Sequence, residues 1–225
     1  MQIKEIILQT HLINELKDFY SKILELEMIR ESPSSFTVKA GMSEIIFESS
    51  DSSINPFYHF AFNIPENQLK KAKEWISKKA ELITLDGEDE FDFKSWNAHS
   101  VYFYDPAGNI LELIARHDLE NRSEKDFGGK SLLSVSEIGI PVFNVMDFHN
   151  ELNNSNPLPL FSGDNENFTA MGDDNGLLII VKKGRKWYPD CPDAEIFPLK
   201  IKLHSDKNSE IYFNEINFRI ILSEK

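Results

Sequence analysis

The stretch HSVYFYDPAGNILELIARHD, residues 99–118, decides how the chain is read. Asp105-Pro106-Ala107-Gly108 places Asp first, Pro second and Gly fourth in a type I turn. It therefore joins 99–104 and 109–115 as an antiparallel hairpin. Along the second strand Leu111 and Leu113 point to one face, and Ile110, Glu112 and Ile114 to the other. Both faces are apolar, which fits a sheet covered by helices on one side and curled around a cavity on the other. A carboxylate there is costly unless it is paired or coordinates a metal. Either Glu112 faces solvent, or something inside the protein needs its charge.

Outward from the hairpin, a unit repeats. Residues 3–10 alternate as a strand, and NELKDFYSKILEL (14–26) sets Leu16, Phe19, Tyr20, Ile23 and Leu24 on one helical stripe with Asn14 as N-cap. Strands are predicted at 27–31, 35–40 and 43–48, broken by Ser32-Pro33-Ser34 and by Gly41. The same order returns as a strand at 57–63, a helix opening at Pro65, and strands at 81–85, 99–104 and 109–115. That helix carries Leu69, Ala72, Ile76 and Ala80 on one face. A repeat of roughly fifty residues is the main architectural signal.

Residues 118–131 are polar, carry Gly128-Gly129, and read as a linker. A third unit follows, with a strand at 134–142, a short helix at 145–152, and a hairpin of 167–171 with 176–182. A fourth begins at 195–203, but only SDKNSE separates it from IYFNEINFRIIL, which leaves no room for a helix. The expected fold class is α+β, with tandem βαβββ units forming a curled mixed sheet around a cavity. The complete domain is expected at 1–117 and a shortened, degenerate copy at 132–225.

Composition narrows the function classes. The chain has 225 residues, 41% of them hydrophobic and 12% aromatic, enough to bury a core. Lys+Arg of 24 against Asp+Glu of 37 gives a net charge of −13, which disfavours nucleic acid and anionic membrane surfaces as partners. The single cysteine, Cys191, cannot form an internal disulfide and fits a reducing compartment. MQIKEIILQT shows no signal peptide, and no apolar run approaches the roughly 20 residues of a membrane helix, so a cytoplasmic location is expected.

The pattern Tyr102-Phe103-Tyr104-Asp105-Pro106-x-Gly108-Asn109-x-Leu111-Glu112-Leu113 resembles the signature of the vicinal oxygen chelate superfamily. That group includes glyoxalase, fosfomycin-resistance proteins, extradiol ring-cleaving dioxygenases and bleomycin-binding proteins. The resemblance covers 1–117 and takes in Phe19-Tyr20 and the His59-Phe60-Ala61-Phe62 strand. It implies that two units enclose one pocket, with metal ligands on each first strand and on the last strand of the second unit. Those positions fall on Glu5, His59 and Glu112, with Glu5 standing where the family usually has His or Gln. A His with two carboxylates suits Mn²⁺, Fe²⁺ or Zn²⁺, and no organic cofactor is evident. Glu137 is the equivalent first-strand residue of the C-terminal half. The His59 counterpart there falls near Pro198, and no Asp-Pro-x-Gly-Asn turn follows, so that half is expected to hold no metal.

Around this set, Trp96, Asn97 and His99 in KSWNAH suit the mouth of a small-molecule pocket. Gln9, which shares a face with Glu5, and Tyr102 with Tyr104 complete the expected substrate contacts. Glu112 or His99 is the expected proton carrier. Plain structural readings stand beside these: a satisfied core histidine at 59, a paired acid at 112, a solvent-facing acid at 5. Ser-His-Asp order, a phosphate-binding glycine loop and Cys-x-x-Cys are all absent from the sequence. Two functions remain open. One is a divalent-metal-dependent glyoxalase- or dioxygenase-like enzyme chelating adjacent oxygens of a small molecule. The other is a metal-free small-molecule binding or sequestration protein of the bleomycin-resistance type. A homodimer is an expected assembly.

Overall fold

The computed structural model describes residues 1–50 and 53–224. Four units follow one another. The first holds β1 (Ile3–Thr10), α1 (Ile13–Asp18), β2 (Glu27–Ser32), β3 (Ser35–Ala40) and β4 (Ser43–Ser49). The second holds β5 (His59–Ile64), α2 (Leu69–Ile76), β6 (Phe91–Phe93), β7 (Ala98–Tyr104) and β8 (Ile110–Arg116). The third holds β9 (Ser134–Val142), α3 (Val145–Ser155), β10 (Leu160–Gly163), β11 (Phe168–Asp173) and β12 (Gly176–Lys182). The fourth has only β13 (Leu199–His204), β14 (Ser209–Phe213) and β15 (Phe218–Ser223), with no α-helix among its described residues. In every unit the first strand runs parallel to the last: β1 with β4, β5 with β8, β9 with β12, β13 with β15. The architecture is the expected α+β arrangement with one large mixed sheet.

Units join through the free edges of their first strands, and here the structure corrects the expected pairing. β5 lies antiparallel to β9, and β1 antiparallel to β13. The second unit therefore pairs with the third, and the first with the fourth. Residues 1–117 do not enclose a cavity by themselves, because β13 occupies the edge of β1 that β5 was expected to meet. Residues 118–131 carry the chain back so that Leu133 N donates to Asn63 O at 2.8 Å. Along the way Gln68 Nε2 donates to the carbonyls of Ser123 and Lys125, at 3.0 and 2.7 Å, fixing this segment against α2. Close approach also demands Gly41: a Cβ there would sit 1.9 Å from Leu133 O, on a backbone at φ +55°.

One face of the sheet carries the main core. Leu16, Phe19, Tyr20 and Leu24 pack there with Phe36 and Phe47, beside Leu69, Ala72 and Ile76 of α2 and Val145, Phe148 and Leu152 of α3. Leu111 and Leu113 join this core, while Ile110 and Ile114 face smaller clusters on the other side. Local details differ from expectation. The first helix opens after Leu12, whose backbone is the N-cap, so Asn14 makes no cap. A π-turn over Phe19–Ile23 rotates the apolar stripe and leaves Ile23 exposed. Residues 81–85 make only isolated bridges (Leu82 to Phe103, Leu85 to Glu88), and Phe91–Phe93 pairs with β7 instead.

Candidate functional site

The site starts from the Asp105-Pro106-Ala107-Gly108-Asn109 turn. Buried Asp105 accepts from Ala107 N, Asn109 N, Asn109 Nδ2 and Tyr20 Oη, at 2.9, 3.0, 2.7 and 2.8 Å. Burial nevertheless pushes its carboxyl up to about 6. Asn109 Oδ1 in turn accepts from Tyr58 N at 2.8 Å, and Ile110 N donates to Tyr58 O at 2.8 Å. These bonds lock β8 beside β5 with His59 opposite Ile110 and Ala61 opposite Glu112.

Ala61 is also opposite Glu137 on its other neighbour, β9. Two carboxylates thus flank one methyl group, and side chains directly across neighbouring strands share a face. Strand alternation puts His59 on that same face, two residues away. The ligand atoms of His59, Glu112 and Glu137 all lie within 4.8 Å of one another, and all three residues are buried.

Hydrogen bonding sets the chemistry of each group. His59 Nδ1 lies 3.1 Å from Ile110 O; a carbonyl only accepts, so Nδ1 carries the proton and Nε2 keeps its lone pair. Burial holds this imidazole down at about 4, so it is neutral at neutral pH. Its Nε2 stands 3.8 Å from Glu112 Oε2, too far for a hydrogen bond. Glu112 Oε1 is buried with no hydrogen-bond partner. Burial first, and the charge of Glu137 second, push the Glu112 carboxyl up to about 8, against the pull of Ser100, Tyr102 and Arg116. Burial also raises Glu137, opposed chiefly by Arg116.

Arg116 is the cation of the site. Its side chain is fully buried; Nη2 donates to Glu137 Oε1, Nε donates to Ser136 Oγ at 3.1 Å, and Nη1 donates to Asp174 at 3.4 Å. His59, Glu112 and Glu137 open on a cavity of about 200 Å³ walled by Phe93, Trp96, Tyr102, Phe168, Trp187 and Tyr188, with Arg185 also on its lining. Trp187 packs on His59 with ring centroids 5.0 Å apart. Gly139 makes room for it: a Cβ there would lie 2.5 Å from Trp187 Cη2.

The expected residues divide. His59, Trp96, Tyr102 and Glu112 line the cavity. Glu5 does not join them: its carboxylate accepts from Lys202 Nζ at 3.0 Å, across the β1–β13 pairing. Gln9 lines a separate depression with Lys200 and Arg219. Asn97 adopts a left-handed backbone at φ +44° and donates to Asp118 at 2.8 Å. Tyr104 is partly exposed beside Cys191 and is not on the cavity wall. His99 points away from the wall, against His117. Glu137, expected to serve no metal, takes the place expected for Glu5. The equivalence of first strands marked its position, but no local signal says which two first strands meet.

Comparison with solved structures adds the fold. A candidate dioxygenase from Bacillus subtilis superposes at TM-score 0.63, with 14% identity over 100% of this chain and 86% of that one. Glyoxalase I from Zea mays superposes at TM-score 0.58, with 11% identity over 98% of this chain and 91% of its own. The chain has the vicinal oxygen chelate fold. Both superpositions run through all four units, so the vicinal oxygen chelate fold includes the helix-less last one. No protein-family model and no curated protein matches the chain. Among the described residues, no helix is long and apolar enough to cross a membrane.

Proposed function

We propose that the cavity is the centre of a divalent-metal-dependent enzyme acting on a small molecule that offers adjacent oxygens. His59 Nε2, Glu112 and Glu137 would hold the cation. One observation carries the reading: Glu112 Oε1 is buried and unpartnered, and the bare Nε2 of His59 stands 3.8 Å from Oε2 of the same carboxylate. An N/O donor set of this kind suits Mn²⁺, Fe²⁺ or Zn²⁺. When bound, such a cation supplies Lewis-acid stabilisation of negative charge on substrate oxygens. The chain's own residues do the rest. Trp96, Tyr102 and Trp187 exclude water and offer flat apolar walls; Arg116 orients Glu137; the Glu112 carboxyl takes or returns a proton at Oε1. The activities to assay are those the neighbours' names carry, glyoxalase and dioxygenase.

The test is the metal content of untagged protein, compared with His59→Ala and Glu112→Gln. About one equivalent in the parent, lost in both variants, is the expected result. A second reading, a metal-free binding protein, is favoured by one observation: Arg116 already neutralises Glu137. Absence of metal after repletion, with an aromatic ligand still bound, would overturn the enzyme reading in its favour.

A further inference from the structure

A second pair of histidines meets outside the cavity. His99, near the start of β7, alternates with Ser100 and Tyr102 and so projects from the opposite face. There its Nδ1 lies 2.9 Å from Nε2 of His117, which follows β8. Each ring has an acid at its outer nitrogen. Asp92 Oδ1 is 3.6 Å from His99 Nε2, and Glu66 Oε2 is 3.6 Å from His117 Nδ1. Arg122 approaches Glu66 on its other oxygen, at 3.8 Å. Backbone bonding steadies the pair, because His117 N donates to Asn97 O at 2.9 Å.

The acids bias the tautomers through their charge, although 3.6 Å is too long for a hydrogen bond. A carboxylate favours N–H on the nitrogen that faces it, the arrangement usual for metal-binding histidines. That choice leaves the two inner nitrogens, His99 Nδ1 and His117 Nε2, with lone pairs directed at each other across 2.9 Å. A positive centre between them, a metal ion or a shared proton, makes this favourable. For metal–nitrogen bonds of about 2.0–2.1 Å, such a separation subtends an angle of roughly 90°. That is the cis angle of square-planar and octahedral ions; tetrahedral coordination would spread the nitrogens to about 3.4 Å.

We propose that His99 and His117 form a second metal site, taking Ni²⁺ or Cu²⁺, with Asp92 and Glu66 orienting the two rings. Both side chains are about one-third exposed, at 38% and 31%, so water completes the coordination. A cation here ties the start of β7 to the end of β8. It also braces the short turn Lys94–Trp96, whose last residue walls the cavity. The proposal does not rest on metal in the cavity.

The test is calorimetric titration of untagged protein with NiCl₂, in a Glu112→Gln background that disables the cavity donors. One Ni²⁺ is expected to bind there. His99→Ala and His117→Ala, added singly, should each weaken it by more than the roughly tenfold that loss of a supporting partner costs. Asp92→Asn should weaken it by about that tenfold. With Cu²⁺, the electron paramagnetic resonance spectrum should show coupling to two imidazole nitrogens, falling to one in His99→Ala. Unchanged Ni²⁺ affinity in the two histidine variants, or no binding in the Glu112→Gln protein with its fold intact, would overturn the site; a proton shared between the rings would then account for their contact.

Discussion

Arg116 and Glu137 form an ion pair wholly inside the protein, although their strands β8 and β9 are separated by β5. The pair reaches diagonally across β5, because Glu137 stands opposite Ala61 whereas Arg116 follows Ala115, the partner of Ile64, and it joins the second unit to the third. Removing one partner from a buried pair strands the other charge, at a cost of about 3–5 kcal/mol. Arg116→Met is therefore expected to lower stability by that amount in urea unfolding, since it leaves Glu137 beside Glu112 with no cation. Adding Glu137→Gln should recover much of the loss. If the double variant is no more stable than Arg116→Met, the penalty lies in lost packing against Trp96 and Phe161 rather than in the stranded charge.

The stability of the metal-free protein should fall as pH rises from 6.5 to 8. Glu112 is pushed from 4.5 up to about 8, so it favours the folded state fully at low pH and loses that favour as pH climbs through 8. Asp105, raised from 3.8 to about 6, has the same sign but is spent by pH 6. His59 has the opposite sign: lowered from 6.5 to about 4, it costs stability only below 6.5, where the unfolded chain takes the proton first. Above pH 6.5 Glu112 acts without that opposition, and the decline should be on the order of 1–2 kcal/mol. Thermal melts in EDTA at several pH values would measure it. A Glu112→Gln protein that shows the same decline would assign the slope elsewhere.

The inward turn of Glu112 was legible because it depends on local chemistry: a turn signal, then a strand of period 2. The same alternation that sends Tyr102 into the cavity sends His99 out of it, so His99 too had a readable place. What the residues near Glu5 and Glu137 do not carry is a choice of partner. Both acids stand at equivalent points of first strands, and the choice is made by edges far apart in the chain. Lys200 and Lys202 of β13 answer Glu48 and Glu5, at 3.5 and 3.0 Å, whereas β9 brings no cation to its own acid. Arg116 supplies that cation from the end of β8, where a buried apolar run gives no hint of a charge facing inward.

The Asp105 turn is predicted to act on His59 through register. Asp105→Ala leaves the buried Tyr20 hydroxyl and two backbone N–H groups without their acceptor, which should cost about 3 kcal/mol or more in unfolding experiments. Asp105→Asn keeps part of the acceptor set and should cost less. Because Asn109 then loses two of its contacts, the pairing of His59 with Ile110 should loosen, and the His59 Nδ1 proton should exchange faster in nuclear magnetic resonance. Unaltered exchange in a folded Asp105→Ala protein would separate the turn from the site.

Gly139 is predicted to be the residue that lets Trp187 close over His59. It lies on β9 two positions after Glu137, and a methyl group there would meet the indole at 2.5 Å, far inside van der Waals contact. The neighbouring His59 carbonyl, 3.2 Å from the same point, leaves little room for the backbone to yield. Gly139→Ala should therefore expel or rotate the indole, costing about 1–3 kcal/mol as overpacking does. The wall of the cavity opens with it, so an aromatic ligand should bind more weakly and Trp187 fluorescence should shift toward the solvent-exposed range. Trp187→Leu removes the obstruction, and in that background Gly139→Ala should be close to neutral. A Gly139→Ala protein with unshifted tryptophan emission and parental stability would mean that β9, not the indole, gives way.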